Sequence, residues 1–223
     1  PDARGVILAS HGLFTWADTS QECYDTTIDI INRAVAWFEQ ETAGKPVFGG
    51  EIHKRLPAGE RRSIAAAVMP AIRGMISKDL HKIGHFDDSD AVMQFVCARE
   101  MAPLAALGTS CPDHFLRTKI APLVIDFDPA RPDVEATLAN LGPALEAYRQ
   151  EHAAYYQRCK HPDTPPMRDP NAVVYLIPGV GMLTFAKDKA TARISGEFYT
   201  NAINVMRGAS GVSVAYTHLR AHE

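Results

Sequence analysis

"GVILASHGLFTWADTSQECY", Gly5 to Tyr24, is the stretch on which the reading of this chain turns. An apolar run, Gly5–Ala9, stops at Ser10-His11-Gly12, and a second short run, Leu13–Trp16, follows. That is the pattern of two buried strands across a tight turn. Thr19 with Glu22 three residues on makes a capping box. Tyr24, Ile28, Ile31, Val35 and Phe38 then recur at helical spacing until Gly44 and Pro46 end the helix. The stretch therefore predicts strand, turn, strand and helix, with one imidazole, His11, and one glycine at the tip of the turn.

Working outward, residues 44–57 read as a connector. "AGERRSIAAAVMPAIRGMIS" is a second helix, with Pro70 as a kink. "DAVMQFVCAR" is expected as a strand from Ala91 to Ala98, and "LGTSCPDHFLRTK" as a loop. "APLVIDF" is expected as a buried strand. Asp133 to about His161 is expected to be helical, with a break near Gly142-Pro143. "AVVYLIP" is a strand, and the chain then passes through "GVGMLTFA" into a last helix reaching Ala209. Strands alternating with long helices predict an α/β layered fold, a sheet covered by helices.

The chain has 223 residues, a net charge of -3 and a pI near 6.3. This balance gives no electrostatic footprint for nucleic acid or an anionic membrane. Four cysteines (Cys23, Cys97, Cys111, Cys159) form no CxxC pair, which predicts reduced thiols in a cytoplasmic protein. No apolar run is long enough to span a membrane, and without a basic-then-apolar pattern secretion is not expected. Residue 1 is Pro, so the chain is expected to begin inside a longer protein.

The opening stretch has an echo near the other end. "VILASHGLFTWA" resembles "VYLIPGVGMLTFA", with Gly12, Thr15 and Ala17 matching Gly181, Thr184 and Ala186. "ECYDTTIDIINRA" lines up with "EFYTNAINVMRGA", placing Glu22, Tyr24, Ile28 and Ala34 against Glu197, Tyr199, Ile203 and Ala209. That alignment puts a few extra residues between strand and helix in the second copy. An internal duplication is expected, with Val180 where the first copy has His11.

"ILASHGLFTWADTSQECYDTTIDIINRA" resembles the C-terminal part of class II, metal-dependent aldolases of the aldolase/adducin superfamily. With "LGTSCPDHFLRTKIAPLVIDFDP" and "IPGVGMLTFAKDK", nearly the whole chain resembles the bifunctional rhamnulose-1-phosphate aldolase/short-chain dehydrogenase family. The resemblance implies a class II aldolase/adducin-like layered sheet with covering helices, incomplete at the N-terminus. It implies residues 1–43 as the end of an aldolase module, 44–212 as a second, degenerate module with its connector, and 213–223 as a non-native tail. It also implies cleavage of L-rhamnulose 1-phosphate to dihydroxyacetone phosphate and L-lactaldehyde, and a homo-oligomeric, cytoplasmic parent that takes a sugar phosphate. Alternatives are an adducin-like module without catalysis, or a class II aldolase for another sugar.

In such aldolases three histidines hold the metal, and His11 matches the third. The resemblance implies Zn2+ for the parent's aldolase site and NAD for a dehydrogenase domain that lies beyond these residues. A cation with open positions polarises a ketone and stabilises the enediolate formed as a carbon–carbon bond breaks. The His-x-His pair that completes the set, and the acid–base group, are expected upstream of this chain. Elsewhere, Thr109, Ser110, Arg117 and Lys119 are candidates for an anion-binding loop. A Cys111–His114 nucleophilic pair lacks an orienting third group. His81 and His85 are spaced i, i+4 but straddle Gly84 and read as basic residues at a helix end. "PGVG" lacks the third glycine of a dinucleotide fingerprint.

Overall fold

The computed structural model describes residues 3–8, 11–78, 80–109 and 112–212. The tail 213–223 lies outside them, as do Ser10, Ser110 and Cys111. The opening stretch forms the expected strand, turn, strand and helix, but its two strands are largely exposed rather than buried, because nothing but the helix that follows covers the hairpin among the described residues. β1 (Gly5–Leu8) and β2 (Gly12–Thr15) pair antiparallel with Leu8 opposite Gly12. α1 (Ser20–Thr42) starts at a full capping box, Thr19 with Glu22.

After a 3-10 turn at Val47–Gly49 comes α2 (Ala58–Ile76), which runs through Pro70. β3 (Ile83–Asp87), α3 (Asp90–Val96), α4 (Met101–Ala106), α5 (Pro112–Thr118) and β4 (Leu123–Val124) follow. α6 (Val134–Cys159), β5 (Val174–Ile177), β6 (Gly181–Ala186) and α7 (Lys189–Gly211) complete the order. The four-stranded sheet has the order β3-β6-β5-β4, with only β4 and β5 parallel.

This sheet is the middle of three layers. Successive β5 side chains point to opposite faces. Val174 and Leu176 join Met182 in a core with α3, α4 and α7. Tyr175 and Ile177 join Leu183 and Phe185 in a second core under α2 and α6. β5 is buried along its whole length because both faces are covered.

Several sequence expectations are corrected. Where a strand was expected from Ala91 to Ala98, residues Asp90–Val96 form helix α3: Val92, Met93, Phe95 and Val96 are all buried, and a short apolar run has no period to tell the two apart. His85 lies in strand β3, not at a helix end, because that segment completes the edge of β6. Part of the expected loop is α5. The "APLVIDF" strand shrinks to the two-residue edge strand β4. α6 passes through Gly142-Pro143 without a break, with Leu141 and Leu145 anchored in the second core on either side.

The two hairpin–helix units are built alike, and more closely than the sequence alignment had them. Leu8 faces Gly12 as Ile177 faces Gly181. The Trp16 N–H donates to Arg4 O as the Phe185 N–H donates to Val173 O. Thr19 caps α1 at the place where Asp188 caps α7, so no extra residues separate strand and helix in the second copy. The helix alignment therefore shifts: Cys23, Thr26, Thr27 and Ile30 correspond to Ala192, Ser195, Gly196 and Tyr199. Those four are the inward positions of each helix. The helically spaced stripe Tyr24, Ile28, Ile31, Val35, Phe38 is exposed. Its α7 counterparts are Arg193, Glu197, Thr200, Asn204 and Arg207.

The two turns differ in how tightly they are packed. Gly181 has φ +144, and a methyl there would meet Asp87 O at 2.7 Å and the Phe86 ring at 2.8 Å. Gly12 has φ +135 and open space around it. Gly181→Ala should cost about 2–4 kcal/mol, strain plus overlap, and Gly12→Ala only about 1 kcal/mol of strain. Urea denaturation of both variants checks the order; equal losses would contradict this packing of the second turn.

Candidate functional site

Local backbone geometry holds His11 and Gly12 against the end of β1. The His11 N–H donates to Leu8 O at 3.1 Å, and Gly12 takes the positive φ that the reversal needs. Behind the turn, the Thr15 hydroxyl lies 2.6 Å from the Thr27 hydroxyl, which donates to Cys23 O at 2.8 Å. This ties β2 to the first turns of α1. His11 itself is exposed at the tip.

The second copy repeats the turn and carries no imidazole there. The Val180 N–H donates to Ile177 O at 3.1 Å, and the Thr184 hydroxyl donates to Ala192 O at 2.7 Å. Val180 is fully buried. The connector passes over this turn: the Leu56 N–H donates to Gly179 O at 3.1 Å, and Leu56 is buried in the second core. At Gly179 (φ +72) a methyl would lie 2.5 Å from both Lys54 O and Pro129 Cβ. The second turn is thus sealed by residues 54–56 and Pro129, where the first carries an exposed imidazole.

Among the described residues, no three His, Cys, Asp or Glu side chains are placed to hold a metal ion together. A zinc site needs three or four protein ligands. The described residues therefore do not fit a complete metal site, and His11 is the one imidazole this turn presents. His85 is no partner for it: its Nδ1 lies 3.1 Å from Lys189 Nζ. Burial, reinforced by that ammonium, pushes its pKa down. Cys23, Cys97 and Cys159 are free thiols.

Of the residues expected to form an anion-binding loop, Thr109, Arg117 and Lys119 lie among the described residues. Ser110 lies outside the described residues, Thr109 is half-buried and Arg117 is exposed. Lys119 turns inward with a positive φ of 62°, and its ammonium donates to the Asp169 carbonyl. The Asp169 carboxylate pairs with Lys82 and accepts from the Asn171 amide at 2.6 Å. Arg149 in turn donates to the Asn171 side-chain carbonyl at 2.7 Å and to Met75 O at 3.0 Å.

Burial lowers the Lys119 pKa to about 8, against the pull of Asp169. Burial pushes Asp169 up, but the Lys82 and Asn171 hydrogen bonds outweigh it and hold the carboxyl below its usual range. Lys82, Asp169, Asn171 and Arg149 were missed in the sequence. They come from segments far apart in the chain, and no spacing announces them. The cluster sits at the N-terminal ends of the parallel strands β4 and β5, away from the sealed turn. Its role is to tie the segments leading into these strands to α2 and α6.

A pocket of about 400 Å³ opens between β4 and α6, and Asp126 is its one ionisable lining residue. Among the described residues no helix is long and apolar enough to cross a membrane.

Comparison with known proteins places this geometry. Residues 63–223 match the family described as "Aldolase class II, second domain". The chain belongs to that family, and so to the class II aldolase superfamily. It is also similar to the "Uncharacterized oxidoreductase YuxG" of Bacillus subtilis (strain 168), 37% identical over 212 residues. That alignment covers 95% of this chain and 31% of the relative, so the chain spans less than a third of that protein's length. No solved structure matches. The mixed α/β architecture is consistent with a class II aldolase domain, and the match begins within α2, after β1, β2 and α1.

The Lys119 cluster makes a pH-dependent prediction. Its folded pKa of about 8 lies below the unfolded value near 10.4. Between those values the unfolded chain binds more protons, so stability rises with pH across that window. Relative to Lys119→Met, the parent should gain about 1–3 kcal/mol between pH 7 and 10. Denaturation of both proteins at the two pH values checks this; a difference independent of pH would contradict it.

Proposed function

We propose that this chain is part of a metal-dependent lyase of the class II aldolase type. Its substrate is L-rhamnulose 1-phosphate, cleaved to dihydroxyacetone phosphate and L-lactaldehyde, in a longer cytoplasmic protein that also carries an NAD-dependent short-chain dehydrogenase. Residues 1–43 close the catalytic module, with His11 as one zinc ligand. Residues 44–212 form a second module that keeps the fold without the ligand.

The observation that carries this reading is the asymmetry of the two turns. The same mount, with its positive-φ glycine and threonine tie, holds an exposed imidazole at His11 and a buried valine at Val180. A packing role alone gives no reason to keep a histidine at the exposed tip of so apolar a hairpin. A fixed mount is what a metal ligand requires, because its geometry must be held before the ion arrives. This favours the lyase over an adducin-like module without catalysis. The substrate rests on the resemblance of the segments 107–129 and 177–189. The relative's length and its name as an oxidoreductase support a parent that also carries dehydrogenase chemistry.

His11→Ala in the longer protein should remove stoichiometric zinc and reduce carbon–carbon cleavage about a hundredfold or more. Any dehydrogenase activity should remain. The 223-residue chain alone should bind no stoichiometric zinc. Elemental mass spectrometry and an aldol-cleavage assay check both statements; full cleavage by the His11→Ala protein would end the ligand assignment.

A further inference from the structure

The second hairpin serves as a template for what covers the first. In the second unit, Tyr175, Ile177, Leu183 and Phe185 lie under α2 and α6 and are at most 3% exposed. Their counterparts in the first unit are Val6, Leu8, Phe14 and Trp16, exposed by 43%, 44%, 51% and 49%. The opposite face repeats the contrast. Leu176 is buried against α3 and α4, whereas Ile7 is 73% exposed. Met206 is buried, whereas its counterpart Trp37 is 49% exposed. The edges differ as well: β6 pairs with β3 and β5 with β4, while among the described residues β1 and β2 pair only with each other.

A hairpin with both faces apolar is built for the middle of a sheet covered on both sides. Left bare, it presents a contiguous apolar surface of the kind that marks an interaction site.

We propose that the bare hairpin is a docking element for the segment preceding it in the longer protein. That segment places an antiparallel strand on the free edge of β2 and a parallel strand on the free edge of β1. It also lays helices over Val6, Leu8, Phe14 and Trp16. The occupant is argued from the repeat itself. In the second unit, everything that covers the hairpin except α7 comes from chain lying before it: α2, β3, α3, α4, β4 and α6 all precede β5. The first unit has kept its own helix, α1, so its other neighbours belong to chain before β1. The relative, about three times the length of the aligned region, has room for such a segment. The docking rests on the two-module reading but not on the metal or the substrate.

The chain has two tryptophans, Trp16 and Trp37, both on the bare unit, which makes the proposal readable. Hydroxyl-radical footprinting with mass spectrometry would compare Trp16, Phe14 and Trp37 in the 223-residue chain and in the longer protein. All three should be readily oxidised in the chain alone and protected about tenfold or more in the longer protein. Tyr175 and Phe185 should be protected in both.

Equal oxidation of Trp16 in the two proteins would overturn the proposal. Protection of Trp16 in the short chain that grows with its concentration would also overturn it, because a second copy would then be the occupant. Repeating the measurement on His11→Ala separates the two readings. Loss of zinc with Trp16 still protected leaves the docking intact. Trp16 exposed with zinc and cleavage retained overturns the docking alone.

Discussion

A glycine at positive φ, opposite the last residue of the preceding strand, is the constraint on which both halves of this structure depend. Gly12 and Gly181 each reverse the chain within a tight turn. The threonine three residues on, Thr15 or Thr184, then ties the second strand to its helix through side-chain hydrogen bonds. Such a turn fixes the register of the hairpin. With a side-chain period of two, register decides which residues meet each helical layer. The residue before each glycine is held by a backbone hydrogen bond to the preceding strand, His11 N–H to Leu8 O and Val180 N–H to Ile177 O, and the two units use that position in opposite ways.

In the second unit that position is spent on packing. Val180 closes a core, Leu56 bonds to the turn and Pro129 presses against Gly179. The sealing lies at the C-terminal ends of the parallel strands, where α/β sheets usually offer their crevices to ligands. In the second hairpin–helix unit, residues 54–56 and Pro129 thus fill the place where the first carries an imidazole. This part of the chain is a scaffold with two well-filled cores and a half-buried Lys82–Asp169 brace at the far end of the strands.

The parts of the fold written in local chemistry were legible in the sequence. The capping box at Thr19 and Glu22, the glycine turns and the repeat between the two hairpins all depend on neighbours a few residues away. The failures have one physical source. "DAVMQFV" and "IGHFD" are too short to show a period, so which becomes helix and which strand is decided by tertiary pairing with β6 and α7. The helix alignment of the repeat failed for a related reason: matching Tyr24 to Tyr199 followed identity, while the fold follows the cap and the inward face. At the site, His11 stood out because an imidazole interrupts an apolar hairpin. The inward turn of Lys119 did not, since Asp169 and Lys82 reach it only through the folded sheet.

Hydrogen exchange at the two turns, in the longer protein with and without zinc, tests the central claim most directly. The account predicts that zinc slows exchange of the amides around His11 and Gly12 and leaves those around Val180 and Gly181 unchanged, already slow in the absence of metal. Zinc protection at the Val180 turn, or none at the His11 turn in a protein that binds zinc and cleaves its substrate, would contradict it.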